Sequence, residues 1–262
     1  MLKNLKTNKI LWTITAGLAL LAAIIGVIVP HIYDAVFAKE FIPGALPQDI
    51  LTILICIGLF ILISKTRENS VKMQTVILGI IASFFYLYGI FTIERVYNFL
   101  YILYAGIFAM SFWSVVYSLM SLKEEVLQKV KLSTTMIRIS AISGIAIATL
   151  FSFLWITALI PLMRDHNRIE FLYSIYILDL CFVMPALFIT SIMSLQKKGI
   201  GIVLSPVVLI LGFFVIFPLG LNEIAKPFYG QNANYGSMLV SFVFSAYMLL
   251  VASLHLQKIS LK

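Results

Sequence analysis

The distribution of apolar residues divides the chain into eight long runs separated by short charged or turn-rich segments. Most of the runs approach the roughly 20 residues that a helix needs to cross a bilayer, and the second run is the shortest. The runs are residues 10–29, 50–64, 73–91, 99–120, 136–160, 171–195, 200–219 and 236–256. This pattern predicts an all-α integral membrane bundle of eight transmembrane helices, forming a single transmembrane domain over residues 1–262.

Composition supports a membrane protein and excludes two other classes. Apolar residues make up 61% of the chain and charged residues 11%, with a mean hydropathy of +1.04. Soluble domains contain roughly 45–50% apolar residues, so a water-soluble enzyme is excluded. The net charge of +8 comes from basic residues scattered between the apolar runs. We therefore expect the lipid bilayer as the main partner and no nucleic acid.

The basic residues are distributed unequally between the two ends of the predicted helices. The segments on the side of the amino terminus hold Lys3, Lys6, Lys9, Lys65, Arg67, Lys72, Lys123, Lys129, Lys131, Arg138, Lys197, Lys198, Lys258 and Lys262, and the other side holds Lys39, Arg95, Arg164, Arg168 and Lys226. Because positive charge is enriched in cytoplasmic segments, this bias predicts that both termini are cytoplasmic. We expect a multi-pass protein of a bacterial cytoplasmic membrane.

Several segments give expectations about local structure. Residues 30–49 predict either a short interfacial helix or a packed loop, ended by Pro43, Gly44 and Pro47. Residues 123–134 are expected to continue the fourth helix beyond the headgroups. In the seventh run, Pro206 and Pro218 predict a local break.

The fifth run contains small residues at every fourth position, namely Ser140, Gly144, Ala148 and Ser152. On a helix this spacing puts all of them on one strip. Small side chains let a neighbouring backbone approach closely, so the strip predicts a helix-packing surface.

The sixth run carries the most costly residue in the chain, Asp179, about 12 Å below the predicted outer end of its helix. A carboxylate inside the bilayer costs roughly 2.5–3.5 kcal/mol by insertion scales. Pro185 follows and removes an amide that would bond to the carbonyl of Cys181, which predicts a kink below the acid. Two interpretations stay open: a proton, cation or ligand site, or an acid held by a neighbouring helix for packing.

Tyrosines are concentrated on the predicted outer side. Tyr97, Tyr101 and Tyr104 have the spacing of one helical face, and Tyr173 and Tyr176 lead along a second helix toward Asp179. Residues 99–122 and 171–195 also share an F-L-Y-x-x-Y beginning and an S-[LI]-M-S-L ending, consistent with a repeat or with chance. The tyrosines are therefore candidate ligand-binding residues.

Charged residues cluster at two predicted outer turns. Glu94 and Arg95 form the first cluster, and Arg164, Asp165 and His166 belong to the second. Such groups are either solvated pairs of small energy or the rim of a pocket above Asp179. Their spacing does not predict a metal site, and the chain has no phosphate-binding or hydrolase motif, so we predict no metal, no cofactor and no catalytic residue of familiar design.

The segment L-D-L-x-F-V-M-P-A at 178–186, followed by Lys197, Lys198 and Gly199, resembles a pattern in uncharacterised polytopic bacterial membrane proteins. The resemblance covers about thirty residues and implies only that the acid and the proline belong together.

Three functional hypotheses follow. The first is a transporter or permease-like protein with an outward-facing pocket for a small solute, cation or lipid headgroup, with Asp179 and the tyrosines as binding residues. The second is a membrane-embedded enzyme of the outer leaflet that uses Glu94, Asp165 or His166 as an acid or base. The third is a scaffold or accessory subunit without a ligand. The identity of the ligand and of any partner subunit stays open.

Overall fold

The computed structural model describes residues 1–261, and Lys262 lies outside the described residues. Within them, eight helical segments are long and apolar enough to cross a membrane, which confirms the predicted all-α bundle. The helices are α1 (Leu5–Ile28), α2 (Ile42–Lys65), α3 (Val71–Ile93), α4 (Tyr101–Met120), α5 (Glu124–Lys129), α6 (Thr134–Arg164), α7 (Tyr173–Leu178), α8 (Met184–Leu195), α9 (Gly199–Ala225) and α10 (Tyr235–Lys258). α7 and α8 belong to one span, joined by a π-helical segment, and α5 is too short to cross.

The bundle is built around α3 and α9. Within the 18-residue apolar stretch of each helix, 67% is buried in α3 and 61% in α9, compared with 11% in α6. α3 packs against α4 and α9, and α9 also packs against α2, α8 and α10. Gly79 permits the close approach of α3 to α9, since a Cβ there would lie 2.8 Å from Ile210. α6 therefore lies at the periphery, with most of its surface exposed.

Both ends of the described chain lie at the same end of the bundle, as an even number of spans requires. Leu2 bridges Leu122, and strand β1 (Val130–Lys131) pairs antiparallel with strand β2 (Ser260–Leu261). We call this the terminal end and the other the pocket end. The expectation that residues 123–134 continue the fourth helix is wrong, because α4 ends at Met120. Beyond it the Lys3 amide donates to the Ser121 carbonyl and the Lys123 amide donates to the Met1 carbonyl.

For residues 30–49, the alternative of a packed loop fits residues 30–41, whereas the predicted boundary at Pro43, Gly44 and Pro47 is wrong. The segment forms a 3-10 helix, Pro30–Tyr33, followed by turns, and Val36 and Phe37 pack onto the core. Pro43, Gly44 and Pro47 do not end a helix but lie in the first turns of α2. Pro43 is tolerated in the first turn because its missing amide would have no partner there, whereas Pro47 lies inside the helix. α2 is therefore 24 residues long instead of 15, and it includes Asp49.

The predicted break in the seventh span is absent, since α9 is a continuous helix of 27 residues. Pro206 cannot donate to the carbonyl of Ile202, four residues earlier. His255 of α10 replaces that bond, because its Nε2 lies 2.8 Å from the Ile202 oxygen. The carbonyl that Pro206 leaves without a donor in the helix is therefore paired with the buried His255.

The small-residue strip of the fifth span packs against α8. Ser140, Gly144 and Ala148 are buried, and a Cβ at Gly144 would collide with the Ser191 hydroxyl. Beyond this strip, the second half of α6 is largely exposed along the pocket end.

Candidate functional site

The sixth span contains one π-helical turn, Asp179–Val183, immediately before Pro185. In this turn the Met184 amide donates to the Asp179 carbonyl, one residue further than in an α-helix. The wider turn accommodates the missing amide of Pro185. The helix is thus altered above the proline, close to the position where the sequence predicts a kink.

Asp179 is buried, with 6% of its surface exposed, and it is already hydrogen-bonded. Trp155 Nε1 of α6 donates to Asp179 Oδ2 at 2.6 Å. The Tyr86 phenol of α3 lies beside the same carboxyl group. The acid therefore joins three helices in the interior of the bundle, and it does not line either cavity at the pocket end.

Two predicted tyrosines cap the carboxyl end of α3. The Tyr101 hydroxyl donates to the Thr92 carbonyl at 3.1 Å, and the Tyr173 hydroxyl donates to the Ile93 carbonyl at 2.5 Å. Arg95 Nε donates to the Tyr173 hydroxyl at 2.9 Å. Since the last carbonyls of a helix have no partner within it, both tyrosines have a structural task here. Tyr101 and Tyr173 occupy matching positions in the similar segments 99–122 and 171–195.

The structure does not gather the other predicted residues into one site. Tyr104 is buried among core aromatic rings, whereas Tyr97 is exposed. Tyr176 packs edge-on against Trp155 and lines a cleft between α6 and α7 that also includes His166. Arg164 and Asp165 form an exposed pair with an N–O distance of 2.8 Å. Glu94, Asp165 and His166 are not brought together in one cleft: Glu94 lines the cavity described next, which includes neither of the other two.

A different cavity lies where five segments meet at the pocket end, and we call it the outer pocket because it is near the end of the bundle and not in its middle. It has a volume of about 180 Å³ and mostly apolar walls. Its walls come from the turns after α1 (Val36, Phe37, Ala38, Phe41), from α2 (Gly44, Ala45, Gln48), from α3 and the turn after it (Leu87, Ile90, Phe91, Glu94, Val96), from the start of the sixth span (Phe171, Leu172, Ser174, Ile175) and from α9 (Val215, Pro218, Leu219, Asn222). A cavity of about 150 Å³ can hold a benzene molecule. The outer pocket therefore has room for a small ring with a short substituent.

The outer pocket collects polar atoms that have no partner. Within residues 1–261, five buried side-chain polar atoms lack a hydrogen bond, and three of them belong to wall residues: Glu94 Oε2, Ser174 Oγ and Asn222 Oδ1. Ser174 is fully buried and Asn222 is 9% exposed. Buried polar atoms are nearly always paired in proteins. Three such atoms belong to residues that line one cavity, which makes the outer pocket the candidate binding site.

Each of the three residues is fixed by its other atoms. The Ser174 amide donates to Glu94 Oε1 at 2.9 Å, so Glu94 caps the start of α7, while its Oε2 is buried without a partner. Asn222 Nδ2 donates to the Glu40 carbonyl at 3.3 Å, and the side chain packs against Gly44. The free atoms are therefore held in place by residues of four different segments.

Glu94 has no basic partner among the described residues. It belongs to none of the four ion pairs, so no Lys, Arg or His nitrogen lies within 4.0 Å of its carboxylate. Its neighbour Arg95 is directed to Tyr173, and Lys226 pairs with Glu223 at 2.6 Å. The outer pocket therefore has apolar walls, one carboxylate oxygen and two neutral polar oxygens.

Comparisons with protein-family models, with curated proteins and with solved structures find no match for this chain. Within residues 1–261 no three His, Cys, Asp or Glu side chains come together in a group that could hold a metal ion. The chemistry of the site therefore rests on the residues themselves. Glu94 was predicted from the sequence, whereas Ser174 and Asn222 were missed.

Proposed function

We propose that this polytopic membrane protein binds small organic cations in the outer pocket and carries them across the membrane. The preferred ligand is a primary amine attached to a small apolar group. The observation that carries the proposal is the set of three unpartnered buried oxygens on residues that line an otherwise apolar cavity. A protonated amine has three donors and no acceptor, as the lysine ammonium does.

The charge of the site favours an amine over an alcohol. Hydrogen bonds to charged groups contribute about 1.5–3 kcal/mol, compared with about 0.5–1.5 kcal/mol for neutral ones. Glu94 Oε2 offers such a bond without competition from a protein cation. The apolar group of the ligand would cover the walls formed by Phe37, Phe91 and Leu87.

The position of the site agrees with entry from outside the cell. The unequal distribution of basic residues supports a cytoplasmic terminal end, so the pocket end would face outward. Leu87 lies seven residues before Glu94 on α3, which extends the pocket roughly 10 Å along the helix from the acid. A ligand there would have left bulk water and would occupy the outer half of the membrane.

The binding test uses the protein in phosphatidylcholine nanodiscs and three probes of similar shape. Calorimetric titration with phenethylamine should give saturable heat, whereas ethylbenzene, which lacks the amine, and phenylacetate, which carries a negative charge, should bind at least about tenfold more weakly. Empty nanodiscs correct for partitioning into lipid. Equal affinity for phenethylamine and phenylacetate would overturn the proposed ligand class.

The transport test uses counterflow. Proteoliposomes loaded with unlabelled phenethylamine should accumulate radiolabelled phenethylamine from outside, and liposomes without protein should not. Saturable binding without counterflow would mean that the protein is a receptor or accessory subunit and not a carrier.

A further inference from the structure

A second buried acid lies behind the aromatic wall of the outer pocket. Asp49 is seven residues from the start of α2, roughly 10 Å along the helix, and only 5% of its surface is exposed. The Tyr33 hydroxyl donates to Asp49 Oδ2 at 2.8 Å. Gly26 of α1 closes over this pair, because a Cβ there would collide with the carboxyl oxygen and lie 2.5 Å from the phenol oxygen.

No cation neutralises Asp49 within the described residues, since it takes part in none of the four ion pairs. The titratable groups that face it are phenols: Tyr33 from the 3-10 helix, Tyr88 from α3 and Tyr104 from α4, with the Cys56 thiol beyond Tyr88. Burial, reinforced by Asp49, raises the pKa of the Tyr33 phenol well above its usual range, so this phenol remains a donor. A buried carboxyl group without a cation becomes neutral by taking up a proton.

A line of polar groups connects this acid with the surface of the pocket end. Asn98, half-buried in the turn before α4, donates to the Tyr104 hydroxyl at 3.4 Å. The Tyr104 hydroxyl lies beside that of Tyr33, which bonds to Asp49. Hydrogen-bonding side chains therefore connect the buried carboxyl group with a half-buried residue of the pocket end.

The same tyrosine touches the wall of the outer pocket. The ring centroids of Tyr33 and Phe37 are 5.0 Å apart, and those of Phe37 and Phe91 are 5.4 Å apart. Both phenylalanines line the pocket, as does Ala45, one turn before Asp49 on α2. A ligand that shifts Phe37 would therefore shift Tyr33 and its bond to Asp49.

We propose that Asp49 and Tyr33 form a proton-binding site that is coupled to the outer pocket, so that the protein exchanges a proton for an organic cation. The reaction at the site is the binding of one proton to the Asp49 carboxylate to give the carboxylic acid, and the release of that proton to water when the carboxylate forms again. A cation in the nearby pocket favours the ionised acid and thus releases the proton. By linkage, a proton on Asp49 weakens amine binding by the same factor. The coupling rests on the proposed function, whereas the proton site itself does not.

Infrared difference spectroscopy on the protein in nanodiscs tests the proton site without any ligand. The carbonyl stretch of a protonated carboxylic acid should appear as pH falls and should be absent in Asp49→Asn. Tyr33→Phe keeps the acid but removes its donor, so the band should persist at higher frequency even if Asp49→Asn fails to fold. The exposed Tyr97 provides the matched control, since Tyr97→Phe should leave the band unchanged. An unchanged spectrum in both Asp49→Asn and Tyr33→Phe would overturn the site.

The same titration with saturating phenethylamine tests the coupling. The midpoint of the Asp49 band should move to lower pH, corresponding to a coupling of roughly 5- to 150-fold, and phenylacetate should not move it. If calorimetry shows that phenethylamine binds while the midpoint stays fixed, the coupling is overturned. If phenethylamine does not bind but the Asp49 band still titrates, the proposed ligand fails and the proton site stands.

Discussion

The surroundings of Asp179 and the outer pocket differ in whether polar atoms already have partners. Asp179 lies deeper in the bundle, so burying its carboxyl group costs more free energy. Trp155 and Tyr86 nevertheless surround it, and no cavity at the pocket end reaches it. The oxygens of Glu94, Ser174 and Asn222 lie nearer the end of the bundle and lack partners. A costly buried group can therefore be a packing constraint, whereas unpartnered atoms on the residues that line a cavity mark the candidate binding site.

The largest effect on stability is expected at Trp155. Trp155→Phe removes the donor and leaves the buried Asp179 oxygen unsatisfied, which should lower the free energy of unfolding by about 1–3 kcal/mol. SDS denaturation followed by circular dichroism measures it. Trp113, which is 61% exposed, is the matched control, and Trp113→Phe should change little. Equal losses in the two variants would show that Asp179 does not depend on this bond.

At Ser174 we expect a substitution to raise the free energy of unfolding. Ser174→Ala removes a buried hydroxyl without a partner and keeps the amide that bonds to Glu94, so stability should rise by about 1 kcal/mol while phenethylamine binding weakens severalfold. Ser194 is the control, because its hydroxyl is bonded to that of Ser205 at 2.9 Å. Ser194→Ala should lose stability and keep binding. A loss of stability in Ser174→Ala would mean that the hydroxyl has a partner after all.

The smallest effect is expected at Asp179 itself. In Asp179→Asn the side-chain oxygen can still accept the Trp155 bond, so the free energy of unfolding should change by less than about 1 kcal/mol. The same denaturation assay measures this difference. A large loss of stability together with a loss of amine binding would move the functional site from the outer pocket back to Asp179.

The number and order of the spans were predictable because a long apolar run directly indicates a helix that can cross the membrane. The start of α2 was not, since Pro43, Gly44 and Pro47 are typical of a turn but lie within the first two turns of the helix. The continuity of α9 at Pro206 was hidden for a similar reason, because His255 is a distant residue in the sequence.

The candidate site was predictable only in part. Glu94 stood out as a charge at a helix end, but its partner Ser174 is 80 residues away, and only the packing of the helices brings them together. Asn222 lies beyond the predicted end of the seventh span. Asp49 was assigned to a loop because the predicted second span was too short. No local pattern marks Ser174, Asn222 or Asp49, because their role arises from contacts between helices.

The most direct test compares phenethylamine binding in Glu94→Gln and Asp179→Asn, using calorimetry on nanodiscs. Glu94→Gln keeps an oxygen for the Ser174 amide and removes the charge from the pocket, so affinity should fall at least about tenfold, or 1.4 kcal/mol. Asp179→Asn should bind within about twofold of the unmodified protein. The reverse order, with binding kept in Glu94→Gln and lost in Asp179→Asn, would contradict the assignment of the outer pocket as the binding site.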